Sequence, residues 1–105
     1  MGSREIFEES KKYMPGGVNS PVRSYKGMGI TPPVMKSGKG VIVRDEDGNE
    51  YIDFVLAWGP MILGHCNDEV VKCIQEVSES SIAFGAPTEL ELQMGRFLCE
   101  NLDNV

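Results

Sequence analysis

Gly40-Val41-Ile42-Val43-Arg44-Asp45-Glu46-Asp47-Gly48-Asn49-Glu50-Tyr51-Ile52-Asp53-Phe54-Val55 decides the fold of this chain. Val41, Ile42 and Val43 are β-branched, and Gly40 to Arg44 reads as a strand. Asp45 to Asn49 is a run of turn formers, and Gly48 supplies the positive φ that a hairpin turn requires. Glu50 to Val55 then reads as the returning strand. Just upstream, Pro32-Pro33 introduces a further short strand, Val34 to Lys36. The centre of the chain is therefore expected to be a three-stranded antiparallel sheet. Asp45, Asp47 and Gly48 also match part of a calcium-binding loop. That pattern needs a terminal glutamate and flanking helices, so the turn reading is preferred.

Outward from the sheet, both flanks read as helix. Near the N-terminus, Ser3 can cap a short helix to about Tyr13, with Ile6, Phe7, Ser10, Tyr13 and Met14 near one face. Glu8 and Lys12 form an i,i+4 pair of the favourable orientation. Pro15-Gly16-Gly17 stops this helix. Val18 to Thr31 has no clean period and reads as a long loop, the kind of segment that often carries function. Beyond the sheet, Ala57 to Asn67 is a second loop. Asn67 or Asp68 caps a helix to about Ser80 with an apolar stripe of Val70, Val71, Ile74 and Val77. Thr88-Glu89-Leu90-Glu91 is a capping box opening a last helix, whose apolar face is Leu90, Met94, Phe97, Leu98 and Leu102. The segment is thus α+β: an N-terminal helix, a three-stranded antiparallel sheet, then two helices.

Composition bounds the function. The chain has 105 residues, 41% hydrophobic and 25% charged, an ordinary globular balance. Its formal charge is −6, which argues against nucleic acid and anionic membranes as partners. The N-terminus has no apolar leader, and the most apolar stretch, Phe54 to Leu63, is too short for a membrane span of about 20 residues. A cytoplasmic protein is expected. Cys66, Cys73 and Cys99 are odd in number and lack a C-x-x-C spacing, so they read as reduced thiols, Cys73 and Cys99 partly buried. No metal site is expected.

Three places could carry chemistry. In Ser20-Pro21-Val22-Arg23, proline restricts Ser20 to extended geometry, and Arg23 can present a planar fork to a carboxylate or phosphate. On spacing alone a solvated surface arginine is the plainer reading. Trp58-Gly59-Pro60 sets the only tryptophan at a strand exit, as a core residue or as the wall of a pocket. His65 suits acid–base work, but no partner is visible in the sequence, so a structural histidine is preferred. Glycines 16, 17, 27, 29, 38 and 40 form no dinucleotide-binding pattern, and there is no P-loop.

Taken together, these stretches are similar to a known family. Pro15-Gly16-Gly17-Val18-Asn19-Ser20-Pro21-Val22-Arg23 resembles the N-terminal signature of the glutamate-1-semialdehyde 2,1-aminomutases. Asp45 to Asp53, Trp58-Gly59-Pro60 with Leu63-Gly64-His65, and Phe84-Gly85-Ala86-Pro87-Thr88-Glu89 resemble the segments that follow. The D-G-x-x-Y-x-D and G-H pieces occur more widely in the related class III aminotransferases.

The resemblance implies a pyridoxal-phosphate enzyme of fold type I α/β architecture, homodimeric, cycling between pyridoxamine and pyridoxal phosphate. Its substrate would be glutamate 1-semialdehyde and its product 5-aminolevulinate, a tetrapyrrole precursor. It implies that Arg23 holds the substrate carboxylate, that Ser20 helps shape the same site and that Trp58 lines the pocket. His65 stays structural. Such enzymes are several hundred residues long, so residues 1–56 would be an N-terminal helix and sheet domain and 57–105 the start of the large cofactor domain. The Schiff-base lysine is expected beyond Val105, no cofactor contact is assigned within the chain, and the segment alone is expected to be inactive. Another class III transaminase, or a non-catalytic interaction module, are the alternatives.

Overall fold

The computed structural model describes residues 1–104. The chain forms two compact units, Met1–Asp68 and Glu69–Val105. The expected α+β order is present. The first unit contains helix α1 (Ser3–Ser10) and strands β1 (Met35–Lys39), β2 (Ile42–Asp45) and β3 (Glu50–Ile52). Helices α2 (Asp68–Ser78) and α3 (Glu89–Asn101) follow.

The sheet is antiparallel in the order β1-β2-β3. Lys39 faces Ile42 across a tight Gly40-Val41 connection, and a bulge interrupts the ladder between Met35 and Ser37. β2 pairs with β3 through Ile42↔Ile52, Val43↔Tyr51 and Arg44↔Glu50. The last of these pairs is also a cross-strand ion pair.

The β2–β3 turn is organised by one carboxylate. Asp45 is only 2% exposed. Its Oδ1 accepts from the backbone N–H of Asp47 (3.0 Å) and of Asn49 (2.8 Å). Its Oδ2 accepts from Asn49 Nδ2 (2.9 Å) and Tyr51 Oη (2.8 Å). A buried carboxylate is tolerable only with its lone pairs so occupied. These bonds, the Asn49 side chain foremost, hold the Asp45 carboxyl below its ordinary value of 3.8, against the opposing effect of burial. Gly48 closes the turn at φ +86. The turn reading of this segment is thus supported by its own bonds.

The same turn fixes α1. Ser3 was the expected cap, but the helix begins at Ser3 with Gly2 as N-cap. The Ser3 N–H donates to the Asp47 carboxylate (3.1 and 3.3 Å), which satisfies a first-turn donor and places a negative charge at the positive end of the helix. The Ser3 hydroxyl instead accepts from the Val34 N–H at 3.1 Å, ahead of β1. Gly2 leaves room for this: a Cβ there would lie 2.3 Å from Asp47 Oδ1.

The other end of α1 also differs from expectation. The helix stops at Ser10 rather than Tyr13, and the chain continues in tight turns, Lys12 N–H to Glu9 O and Tyr13 N–H to Ser10 O. This tightening favours three-residue spacing. Accordingly the ion pairs are Glu8–Lys11 (2.7 Å) and Glu9–Lys12 (2.5 Å), not Glu8–Lys12. Gly16 and Gly17 both take positive φ, and a Cβ on Gly17 would meet the Phe7 ring at 2.9 Å. Phe7 is buried, as is Pro32 ahead of β1.

A strap crosses the sheet edge after β3. His65 and Gly40 exchange two backbone hydrogen bonds of 2.8 Å. Gly64 has φ +80, and a Cβ on it would lie 2.8 Å from the Gly40 carbonyl oxygen. Lys39 Nζ donates to the Cys66 carbonyl at 2.8 Å and pairs with Asp68.

In the second unit the capping box read from sequence is present: Glu91 N–H donates to Thr88 Oγ1 (3.4 Å) and Thr88 N–H to the Glu91 carboxylate (2.6 Å). No residue of α2 or α3 is buried. Cys73 and Cys99, expected to be partly buried, are exposed, as is Cys66. Their burial presumed a layer packed over the apolar faces, and Ile74 and Phe97 on those faces are also exposed. No helix among the described residues is long and apolar enough to cross a membrane.

Two outcomes are expected. Asp45→Asn lowers stability at neutral pH, measured by urea denaturation. Because the folded carboxyl titrates below 3.8, the contribution of Asp45 is complete above its unfolded value and is lost as pH falls through the folded one. The gap between wild type and variant therefore narrows in acid. Gly64→Ala meets both a left-handed backbone and a carbonyl contact, and costs about 1–3 kcal/mol in the same measurement.

Candidate functional site

Ser20 adopts the extended geometry expected before Pro21, with φ −141 and ψ 127. Pro21–Ser24 then forms one tight helical turn. Arg23 N–H donates to the Ser20 carbonyl (3.0 Å), and the Ser24 hydroxyl donates to the Pro21 carbonyl (2.7 Å). Tyr25 ends the turn with a left-handed φ of +51. Four residues of backbone thus aim Arg23.

Arg23 lines a groove of about 580 Å3 together with Tyr25, Asp53, Trp58 and His65, over the β1 segment near Gly38. Of the residues weighed from the sequence, Arg23, Trp58 and also His65, which was read as structural, share this groove. Ser20 does not line it and meets Arg23 through the backbone. Among the described residues no carboxylate forms an ion pair with Arg23. A planar, permanently charged fork beside a tryptophan and a tyrosine suits a small carboxylate ligand.

Trp58 reaches the groove on unusual backbone. Leu56, Ala57 and Trp58 have φ of +51, +50 and +65, a left-handed turn of three successive non-glycine residues. Each such residue costs about 1–2 kcal/mol relative to right-handed backbone. Internal bonds close the turn: Trp58 N–H to Val55 O (3.0 Å) and Gly59 N–H to Leu56 O (3.0 Å). The Trp58 side chain remains exposed.

The sequence shows no partner for His65, and the structure provides one. His65 Nε2 lies 2.6 Å from Asp53 Oδ2, both side chains largely buried at 22% and 12% exposed. The other oxygen, Asp53 Oδ1, accepts from Val55 N–H (2.7 Å) and Leu56 N–H (3.1 Å). The His65 bond first, then the Val55 amide, holds the Asp53 carboxyl below 3.8. The imidazole lies against β1 at Gly38, where a Cβ would stand 2.7 Å from His65 Cγ. Asp53 and His65 were missed as a pair because they stand twelve positions apart in sequence, across a loop. The available signal was Gly38 itself, an isolated glycine in a strand, which marks the close approach of another group.

The pattern of the family described as aminotransferase class-III matches residues 25–102. A glutamate-1-semialdehyde 2,1-aminomutase of Clostridium botulinum is 73% identical over the whole chain, which corresponds to 25% of that relative. The chain thus spans about a quarter of the length of the curated relatives it matches. Among solved structures, an omega-transaminase from Sphaerobacter thermophilus superposes with a TM-score of 0.88 at 28% identity, over 98% of this chain and 23% of its own. A glutamate-1-semialdehyde aminomutase from Pseudomonas aeruginosa in complex with PMP gives 0.75 at 25% identity, over 93% and 21%. With its pattern matched over most of its length, the chain belongs to the class-III aminotransferase family.

Proposed function

We propose that the chain supplies the substrate-binding face of a pyridoxal-phosphate-dependent aminomutase that converts glutamate 1-semialdehyde to 5-aminolevulinate, a step toward porphyrins and haem. One observation carries the reading: Arg23, which forms no ion pair with a carboxylate among the described residues, shares a groove with Trp58. The guanidinium takes the substrate carboxylate, Trp58 forms a wall, and Ser20 shapes the turn that presents Arg23. Holding one end of the substrate fixes which carbons face the reacting centre while the amino group changes place. The 73% identity to an aminomutase supports this choice of substrate.

The cofactor belongs to the full-length enzyme, a view supported by the PMP complex among the similar structures. In this reading the part of this segment is to bind and orient substrate; Lys11, Lys12, Lys36, Lys39 and Lys72 are each already engaged by a carboxylate. Homodimeric assembly and a cytoplasmic location go with the reading and rest on the motif resemblance. Residues 57–105 would open the large cofactor domain.

A second reading, a transaminase acting between separate molecules, is favoured by the higher TM-score of the omega-transaminase. The two separate on one assay of the full-length enzyme: formation of 5-aminolevulinate from the semialdehyde with no added amino acceptor. Turnover only with an acceptor selects the transaminase. In the same assay Arg23→Ala is expected to raise KM for the semialdehyde about 10- to 150-fold, the equivalent of losing a charged hydrogen bond of about 1.5–3 kcal/mol. Unchanged kinetics would remove Arg23 from the site.

A further inference from the structure

We propose that Asp53 and His65 are positioning residues for the groove: together they hold the left-handed Leu56–Trp58 turn and so set where the Trp58 ring stands. The turn's bonds from Trp58 N–H to Val55 O and from Gly59 N–H to Leu56 O are internal, so they would travel with it if it moved. Besides the Met61 N–H, which donates to the Leu56 carbonyl at 3.2 Å, the Asp53 carboxylate ties it down. One oxygen receives the Val55 and Leu56 amides at the entry to the turn, and the other receives His65 Nε2.

Both members of the pair are themselves fixed to the sheet. Asp53 N–H donates to the Val41 carbonyl at 2.8 Å. His65 is bridged to Gly40 by two backbone bonds, and its ring occupies the space that a side chain at position 38 would fill. The pair is thus a rigid post between the sheet and a strained turn, and it forms part of the wall shared with Arg23 and Trp58. A histidine serving only to tie two loops together would not need a partner whose second oxygen caps the tryptophan-bearing turn. The consequence for substrate rests on the aminomutase reading above; the consequence for Trp58 does not.

The test uses the full-length enzyme labelled with fluorotryptophan, the Trp58 resonance being assigned by its loss in Trp58→Phe. Fluorine NMR and steady-state kinetics are compared for Asp53→Ala, His65→Ala and His65→Gln. The alanine variants are expected to shift and broaden the Trp58 resonance. They are also expected to raise KM for the semialdehyde about tenfold with kcat changed less than about threefold, the pattern of lost binding rather than lost chemistry. His65→Gln, whose amide nitrogen can stand where Nε2 stood, is expected to restore both. A Trp58 resonance unmoved in both alanine variants overturns the proposal, and so does a His65→Gln variant as impaired as His65→Ala. Should the alanine variants fail to fold, Asp53→Asn decides. It keeps the side-chain shape and loses the charge facing His65, so a resonance identical to wild type overturns the proposal. A resonance that moves while KM does not upholds the positioning role and removes the substrate from the groove.

Discussion

Asp45 is the constraint on which the first unit depends. A carboxylate taken out of water must have its oxygens met by donors, and the β2–β3 turn is bent so that two backbone amides, an asparagine and a tyrosine meet them. That conformation puts Asp47 where it can receive the first amide of α1. It also sets the register that pairs Val43 with Tyr51 and leaves β3 to run on into Asp53. Sheet, helix and groove wall are therefore coupled through one turn whose bonds are mostly local.

A second carboxylate repeats the device at the other end of β3. Asp53 gathers two amides and an imidazole, as Asp45 gathers two amides, an amide side chain and a phenol. The difference lies in what each one holds. Asp45 closes a glycine-containing hairpin of ordinary geometry. Asp53 holds backbone that three non-glycine residues would otherwise avoid, next to the side chains that line the groove. Strain of this kind persists only where surrounding bonds over-determine it.

What was legible in the sequence was local. The Thr88–Glu91 capping box, the Gly48 turn and the order of strands follow from neighbours within a few residues. The N-terminus of α1 was misplaced because its cap comes from Asp47, 44 residues away. The exposure of Cys73 and Cys99 was misjudged because an amphipathic helix states which face is apolar and not what covers it. The left-handed Leu56–Trp58 turn carried no glycine to announce it, and the Asp53–His65 pair meets only after the sheet has formed. Arg23 and Trp58 could be named from motif resemblance, but their sharing of a groove depends on the strap that returns to Gly40.

The long-range cap on α1 has a consequence in time. An eight-residue helix is too short to persist unaided in water. Its partner carboxylate is made 44 residues later, about 2–9 s at ordinary rates of translation. During that interval α1 lacks the carboxylate that meets its first amide. Its consolidation must follow closure of the β2–β3 hairpin, so an element made before the sheet becomes ordered after it.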